Sequence, residues 1–156
     1  MTLWHLALWL LVVALGIQAG AGLFESRVLV PLWASSPPGS VHAYNETAIK
    51  ADSGRRLWIF LTPITGLISL LNLFAAWFAV GPQRPWWLIS SITSVFVIAI
   101  TFAYFVPVLL RLPKASSISP DVLTRTVRLW VRLNWIRFVL VLMAWLAALK
   151  AFSYGV

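Results

Sequence analysis

The chain has 156 residues, 61% of them hydrophobic and only 10% charged, with a formal net charge of +8 and no cysteine. A soluble domain carries about 25% charged residues, so this composition, with a mean hydropathy of +0.90, excludes an ordinary globular protein and describes an integral membrane protein. The absence of cysteine excludes disulfides, thiolate chemistry and cysteine-ligated metal, and basic residues placed around apolar runs point to lipid headgroups rather than to nucleic acid.

The first apolar run, about Leu3 to Phe24, is long enough to span a membrane. It lacks a basic leader and exceeds a signal-peptide core, so it is read as a span and not as a cleaved signal. Gly16 and Gly20 lie four apart in it, a spacing that lets helices approach closely within the bundle or between two copies of the chain. A homo-oligomer through this Gly16/Gly20 face is therefore one expectation. Gln18 and Glu25, seven apart, share a face with Gly22. The first loop then runs from about Glu25 to Arg56. Pro31 and the run Ser35-Ser36-Pro37-Pro38-Gly39-Ser40 break it, and 41–52, which carries His42, has the pattern of a short surface helix.

The second span, Leu57 to Val80, places Thr62, Thr65, Ser69 and Asn72 along one side. Gly81-Pro82-Gln83-Arg84-Pro85 is so short that the helices on either side must be antiparallel neighbours. The third span, Trp86 to Leu110, carries Ser90, Thr93, Ser94, Thr101 and Tyr104 as its polar stripe. A second polar connection, Arg111 to Ser119, leads to Ser119-Pro120-Asp121, which reads as a helix start with an N-cap, an early proline and an acidic first turn. The last helix thus begins near Pro120, well before its apolar run from Trp130 to Phe152. The fold class expected is all-α: one transmembrane domain over the whole chain, an integral membrane four-helix bundle with a long first loop and a long fourth helix.

Arg27, Lys50, Arg55, Arg56, Arg111, Lys114, Arg125, Arg128 and Arg132 fall on the side of the two long connections, against Arg84 and Lys150 on the other. The positive-inside rule then makes the long loops cytoplasmic and puts both termini outside, with a bacterial inner membrane as the expected setting. Trp4, Trp9, Trp33, Trp58, Trp86 and Trp87 fall near the expected interfaces and fit an aromatic belt.

Arg137 lies inside the last apolar run. An arginine at mid-membrane costs about 2.5–3.5 kcal/mol on insertion scales and commonly faces a bundle interior, a cavity or a partner. Trp130, Asn134 and Arg137 at i, i+4 and i+7 stack along one side of the helix. Arg125, Arg128 and Arg132 fall on the opposite side and read as snorkelling side chains that meet phosphates. Lipid offers no hydrogen bonds, so the polar stripes should turn towards one another. At about 1.5 Å of rise per residue, Gln18, Thr65, Thr101, Tyr104, Asn134 and Arg137 all come about 5–15 Å below the long-loop surface, with Glu25 at the rim. This describes a pocket for a hydrophobic small molecule, opening towards the long loops and partly covered by the first. Arg137 is then an anion partner or a structural tie to Glu25 or to helix carbonyls; Glu25 or His42 is a candidate base; Asn72 and Asn134 are ligands or interhelical bonds. His5 and His42 do not have metal-ligand spacing, so neither a metal site nor a cofactor is expected. A single histidine could hold a haem axially, but the sequence adds nothing to that.

The Trp130-x-x-x-Asn134-x-x-Arg137 pattern with its Ala/Leu-rich tail, and the first-helix exit Gly20-Ala21-Gly22-Leu23-Phe24-Glu25-Ser26-Arg27-Val28-Leu29-Val30-Pro31, resemble a family of small four-span membrane proteins that includes the fungal anthrone oxygenases. Most of its bacterial members have no assigned function. The resemblance covers the whole layout and implies oxygenation of a polycyclic anthrone to an anthraquinone without metal or flavin. In that chemistry a base removes an acidic C–H proton and the carbanion or enolate reacts with O2. Arg137 and Asn134 would stabilise the oxyanion, and Glu25 or His42 would be the base. Trp130 and Tyr104 would flank the rings, with Gln18, Thr65, Asn72 and Thr101 as further lining. The competing expectation is a non-catalytic accessory or assembly protein whose polar stripes are packing glue.

Overall fold

The structure, a computed structural model, describes residues 3–44, 53–112 and 118–154, with backbone alone at 53–55. The elements in order are α1 (Leu3–Phe24), a π turn (Glu25–Leu29), α2 (Val30–Ala34), α3 (Gly39–Ala43), α4 (Ser53–Phe78), α5 (Arg84–Ile100), a second π turn (Thr101–Phe105), α6 (Val106–Arg111) and α7 (Pro120–Ser153). No strand occurs among the described residues, and the fold is all-α. Four helical stretches, Leu3–Ala34, Arg56–Phe78, Arg84–Arg111 and Pro120–Ser153, are long and apolar enough to cross a membrane. This is a membrane protein built as a helical bundle.

The long helices pack in a ring in which α1 touches α4, α4 touches α5, α5 touches α7 and α7 returns to α1. Small residues permit the close approaches. A Cβ on Gly16 would stand 3.0 Å from Trp145 Nε1, and one on Gly66 3.2 Å from Ile98 Cγ2. Gly16 therefore serves the contact of α1 with α7, while Gly20 is exposed with nothing within 4 Å. The pair is thus divided between an internal contact and the outer surface. The ring's outside is apolar: Leu67, Phe74 and Trp77 are each more than 60% exposed, as lipid-facing side chains are.

One span end differs clearly from the expectation. The first helix does not end at Glu25 but continues through Pro31 to Ala34. A proline inside a helix has no N–H for the i−4 carbonyl, and its ring clashes with that carbonyl. Here the preceding residue, Val30, donates to Glu25 O, five residues back, so the helix widens by one residue instead of breaking. The third span repeats the device: Val106, before Pro107, donates to Thr101 O. The 41–52 surface helix is seen only as α3, ending at Ala43, and its remainder from residue 45 lies outside the described residues. Ser119 has the extended backbone of an N-cap, but its side chain makes no capping bond. Trp33 and Trp87 are buried, at 8% and 4% exposure, and do not belong to the interfacial belt. Trp4, Trp9 and Trp86 are exposed.

Candidate functional site

Arg137 projects from α7 into the bundle, where its Nη2 donates to Glu25 Oε2 at 3.0 Å; both side chains are 13% exposed. The guanidinium carbon lies 4.5 Å from the Phe105 ring centroid and 5.6 Å from that of Trp58, both within the range of cation–π attraction. A carboxylate and two aromatic faces thus replace the water that a buried arginine lacks. Asn134, one turn nearer the long loops, is 2% exposed. Its Nδ2 donates to Ser26 Oγ at 3.0 Å, and its Oδ1 is buried without a partner among the described residues.

The π turns place these groups. Glu25 and Ser26 open the first and Phe105 closes the second. An i→i+5 ring holds more residues per turn than an α-helix, so i+4 rather than i+3 follows the inward direction. Thr101 and Phe105 are accordingly buried while Tyr104 is half-buried. The inward-facing ring expected at Tyr104 is supplied by Phe105, on which Tyr104 packs edge-on at 5.3 Å.

Gln18, Gly22, Ser26, Trp58, Val97, Asn134, Arg137, Phe138 and Val141 surround a cavity of about 10 Å³. All four spans contribute, as the stripes require, but the space is that of about one water molecule. On the side of the long loops, where an opening was expected, stands an apolar cluster of Val30, Trp33, Val41, Phe105, Leu112, Leu123, Val127 and Trp130. Trp130 is the centre of that cluster, 1% exposed and edge-on to Trp33 at 5.1 Å and Phe105 at 5.6 Å. It is packed among the protein's own rings and does not line the cavity.

The other candidate residues separate by level. Thr101 Oγ1 donates to Val97 O at 2.7 Å. Thr65 is fully buried and does not line the cavity; its carbonyl accepts from Ser69 Oγ at 2.7 Å. Ser69 has then spent its hydrogen, so Ser94 is the donor in the Ser94–Ser69 hydroxyl pair that ties α5 to α4. Asn72 lies towards the termini and is saturated. Its Nδ2 donates to Ala7 O and Ile68 O at 2.9 Å each, and its Oδ1 accepts from Trp87 Nε1 at 2.9 Å. It is an interhelical tie, away from Arg137. His42 is exposed on α3 and does not line the cavity.

Ser26, Phe105 and Phe138 complete the site without having been singled out in the sequence, and Trp58, read there as a belt residue, lines the cavity and stands by Arg137. Ser26 was within reach, since Gln18, Gly22 and Ser26 run at i, i+4 and i+8. Phe105 was not, because its inward direction depends on the π turn. No group of three or more potential metal ligands occurs among the described residues. Comparison with protein-family models, with curated proteins and with solved structures found no match to this chain.

Proposed function

We propose that the Glu25–Arg137 cluster is an intramembrane site for the polar end of a hydrophobic small molecule. The observation that carries this reading is the meeting, at one level, of an ion pair, a buried asparagine oxygen without a partner among the described residues and a void bordered by all four spans. A buried ion pair adds little to a fold, because hydrophobic replacements are often neutral or stabilising. This bundle already has uncharged ties at Asn72 and Ser69. Both π turns border the cluster, and such turns are frequent at functional sites.

The volume states what must move. Ligand pockets measure about 300–1,000 Å³, so an aromatic ligand has to displace the side chains of Trp58 and Phe138 from the 10 Å³ void. In the anthrone-oxygenase-like form of the proposal, Glu25 takes a proton from the ligand's CH2 group, and Arg137 with Asn134 Nδ2 holds the resulting enolate oxygen. The carbon then bonds O2, the peroxide is protonated, and loss of water leaves a carbonyl. One oxygen atom ends in the ligand and one in water. His42, outside the cluster, has no part in this scheme. In the same proposal the protein sits in a bacterial inner membrane with its long connections and the exposed Arg125, Arg128 and Arg132 towards the cytoplasm, a reading supported by the charge bias.

The test is anthrone turnover by the protein in nanodiscs, followed as O2 uptake and anthraquinone absorbance. Arg137→Leu should lower the rate by about 10²–10³, the loss typical of an oxyanion donor, while the protein still inserts. The size of the void favours a second reading, in which the cluster only braces an accessory protein. That reading predicts no anthrone turnover by the wild type.

A further inference from the structure

A larger space lies at the other end of the bundle. The first turns of α1, the end of α4, the turn that follows it, Trp87 of α5 and Ala151 of α7 border an open pocket of about 290 Å³, with Trp4, Phe78 and Val80 each at least 50% exposed. It shares no lining residue with the void at Arg137. From Leu8, which borders it, to Gln18 is about 15 Å along the helix, so the two spaces occupy different levels of the membrane.

Its walls specify a kind of ligand. The rings of Trp4, Phe78 and Trp87 form one part, and alanines such as Ala79 and Ala151 leave the room between them. Trp87 is a fixed wall: it is 4% exposed, and its Nε1 is held by Asn72 Oδ1 at 2.9 Å, with the Asn72 amide in turn held by Ala7 and Ile68 carbonyls. A surface organised in advance spares the ligand the cost of ordering it. None of the lining residues is Lys, Arg, Asp or Glu, so nothing there compensates a charge taken out of water. Polar character comes from His5 and Gln83. The Gln83 side chain is positioned by its Nε2 bond to Val80 O at 2.8 Å. On size, an apolar cavity of about 150 Å³ binds benzene, so this one has room for about two fused rings.

We propose that this cavity is a second binding site, for a neutral, flat aromatic molecule of about two fused rings bearing one hydrogen-bonding group, taken up from the surrounding membrane. The flat rings and the absence of charge favour such a molecule over a phospholipid, whose headgroup would find no partner among the lining residues.

The probe is tritiated 2-naphthol, measured by equilibrium binding to the full-length protein in nanodiscs against empty nanodiscs. The expected result is a saturable component near one per chain. Ala79→Leu, which adds bulk at a half-buried wall position, should weaken it at least tenfold. Trp4→Ala, at a residue 50% exposed, removes a wall instead of filling the space and should weaken it severalfold, so the test stands even where one variant does not fold. Binding no greater than partition into empty nanodiscs overturns the proposal. So does saturable binding that survives both variants, or binding that Arg137→Leu abolishes while Ala79→Leu leaves it intact, since that places the probe at the other site. A phospholipid found by native mass spectrometry to remain bound through naphthol saturation also rejects it.

Discussion

Arg137 shows how much a single side chain can require of its surroundings. Unpaired at mid-membrane it costs about 2.5–3.5 kcal/mol on insertion scales; here Glu25 at 3.0 Å and the rings of Phe105 and Trp58 surround it. The cluster's energetics are therefore asymmetric. Glu25→Leu should destabilise the protein by about 3–5 kcal/mol, because it leaves a buried charge uncompensated. Adding Arg137→Met to that variant should recover most of the loss. Reversible unfolding in mixed detergent micelles measures both, and a double variant no more stable than Glu25→Leu alone would show that the pair does not act as a unit. The Trp130–Asn134–Arg137 face was legible from spacing alone, whereas Glu25 was only one of the partners open to Arg137. The packing of Trp130 was not legible, because nothing local says that Trp33 and Phe105 will stand edge-on to it. Asn72 looked like Asn134 in the sequence. They differ in partners brought from other helices: Asn72 finds one for each polar atom, whereas Asn134 Oδ1 finds none among the described residues.

Among the elements, the two π turns connect sequence most directly to the site. Each precedes a Val-Pro pair, Val30-Pro31 and Val106-Pro107, and each replaces a bond the proline cannot make with one of i→i+5 type. If proline is the cause, Pro107→Ala supplies an N–H that can bond Ala103 O, and the turn closes into α-helix. The new amide at position 107 should then be protected from hydrogen exchange, and Phe105 should turn away from Arg137, with a loss of ligand binding at unchanged or slightly higher stability. A freely exchanging amide there would mean that packing, not proline, holds the π turn open. Hydropathy could place most span ends to within a few residues, since length and apolarity alone set them, but it stopped the first span at Phe24, ten residues short of Ala34. It could not show that a proline near a span end would widen the helix instead of stopping it.

For the molecule as a whole, the ring of helices and the position of the connections make a simple prediction about sides. The chain has no cysteine, so single cysteines report cleanly. Ser36→Cys and Ser119→Cys should react with an impermeant maleimide from one face of the membrane, and Gln83→Cys and Tyr154→Cys from the other. Any other partition would reject the four-span topology. Packing within the ring gives a second prediction. Gly16→Leu must push Trp145, 3.0 Å from where its Cβ would lie, and should cost about 1–3 kcal/mol by overpacking, read from the same unfolding transition. Gly20→Leu, with open space around it, should change stability little.

The sequence by itself determined that this is a four-span helical membrane protein with polar stripes turned inward. Those properties follow from the length of apolar runs, the 3.6-residue period and the lack of hydrogen bonds in lipid, all of which act along the chain. Only the tertiary structure decided that the Arg137 cluster has packed aromatic rings on its long-loop side and space for about one water, while the roomier pocket lies at the other end. The reason is that empty volume is a property of no residue. It is what remains when side chains from four helices have packed, and a stripe of polar residues marks where helices face one another without saying how completely their neighbours fill the space between.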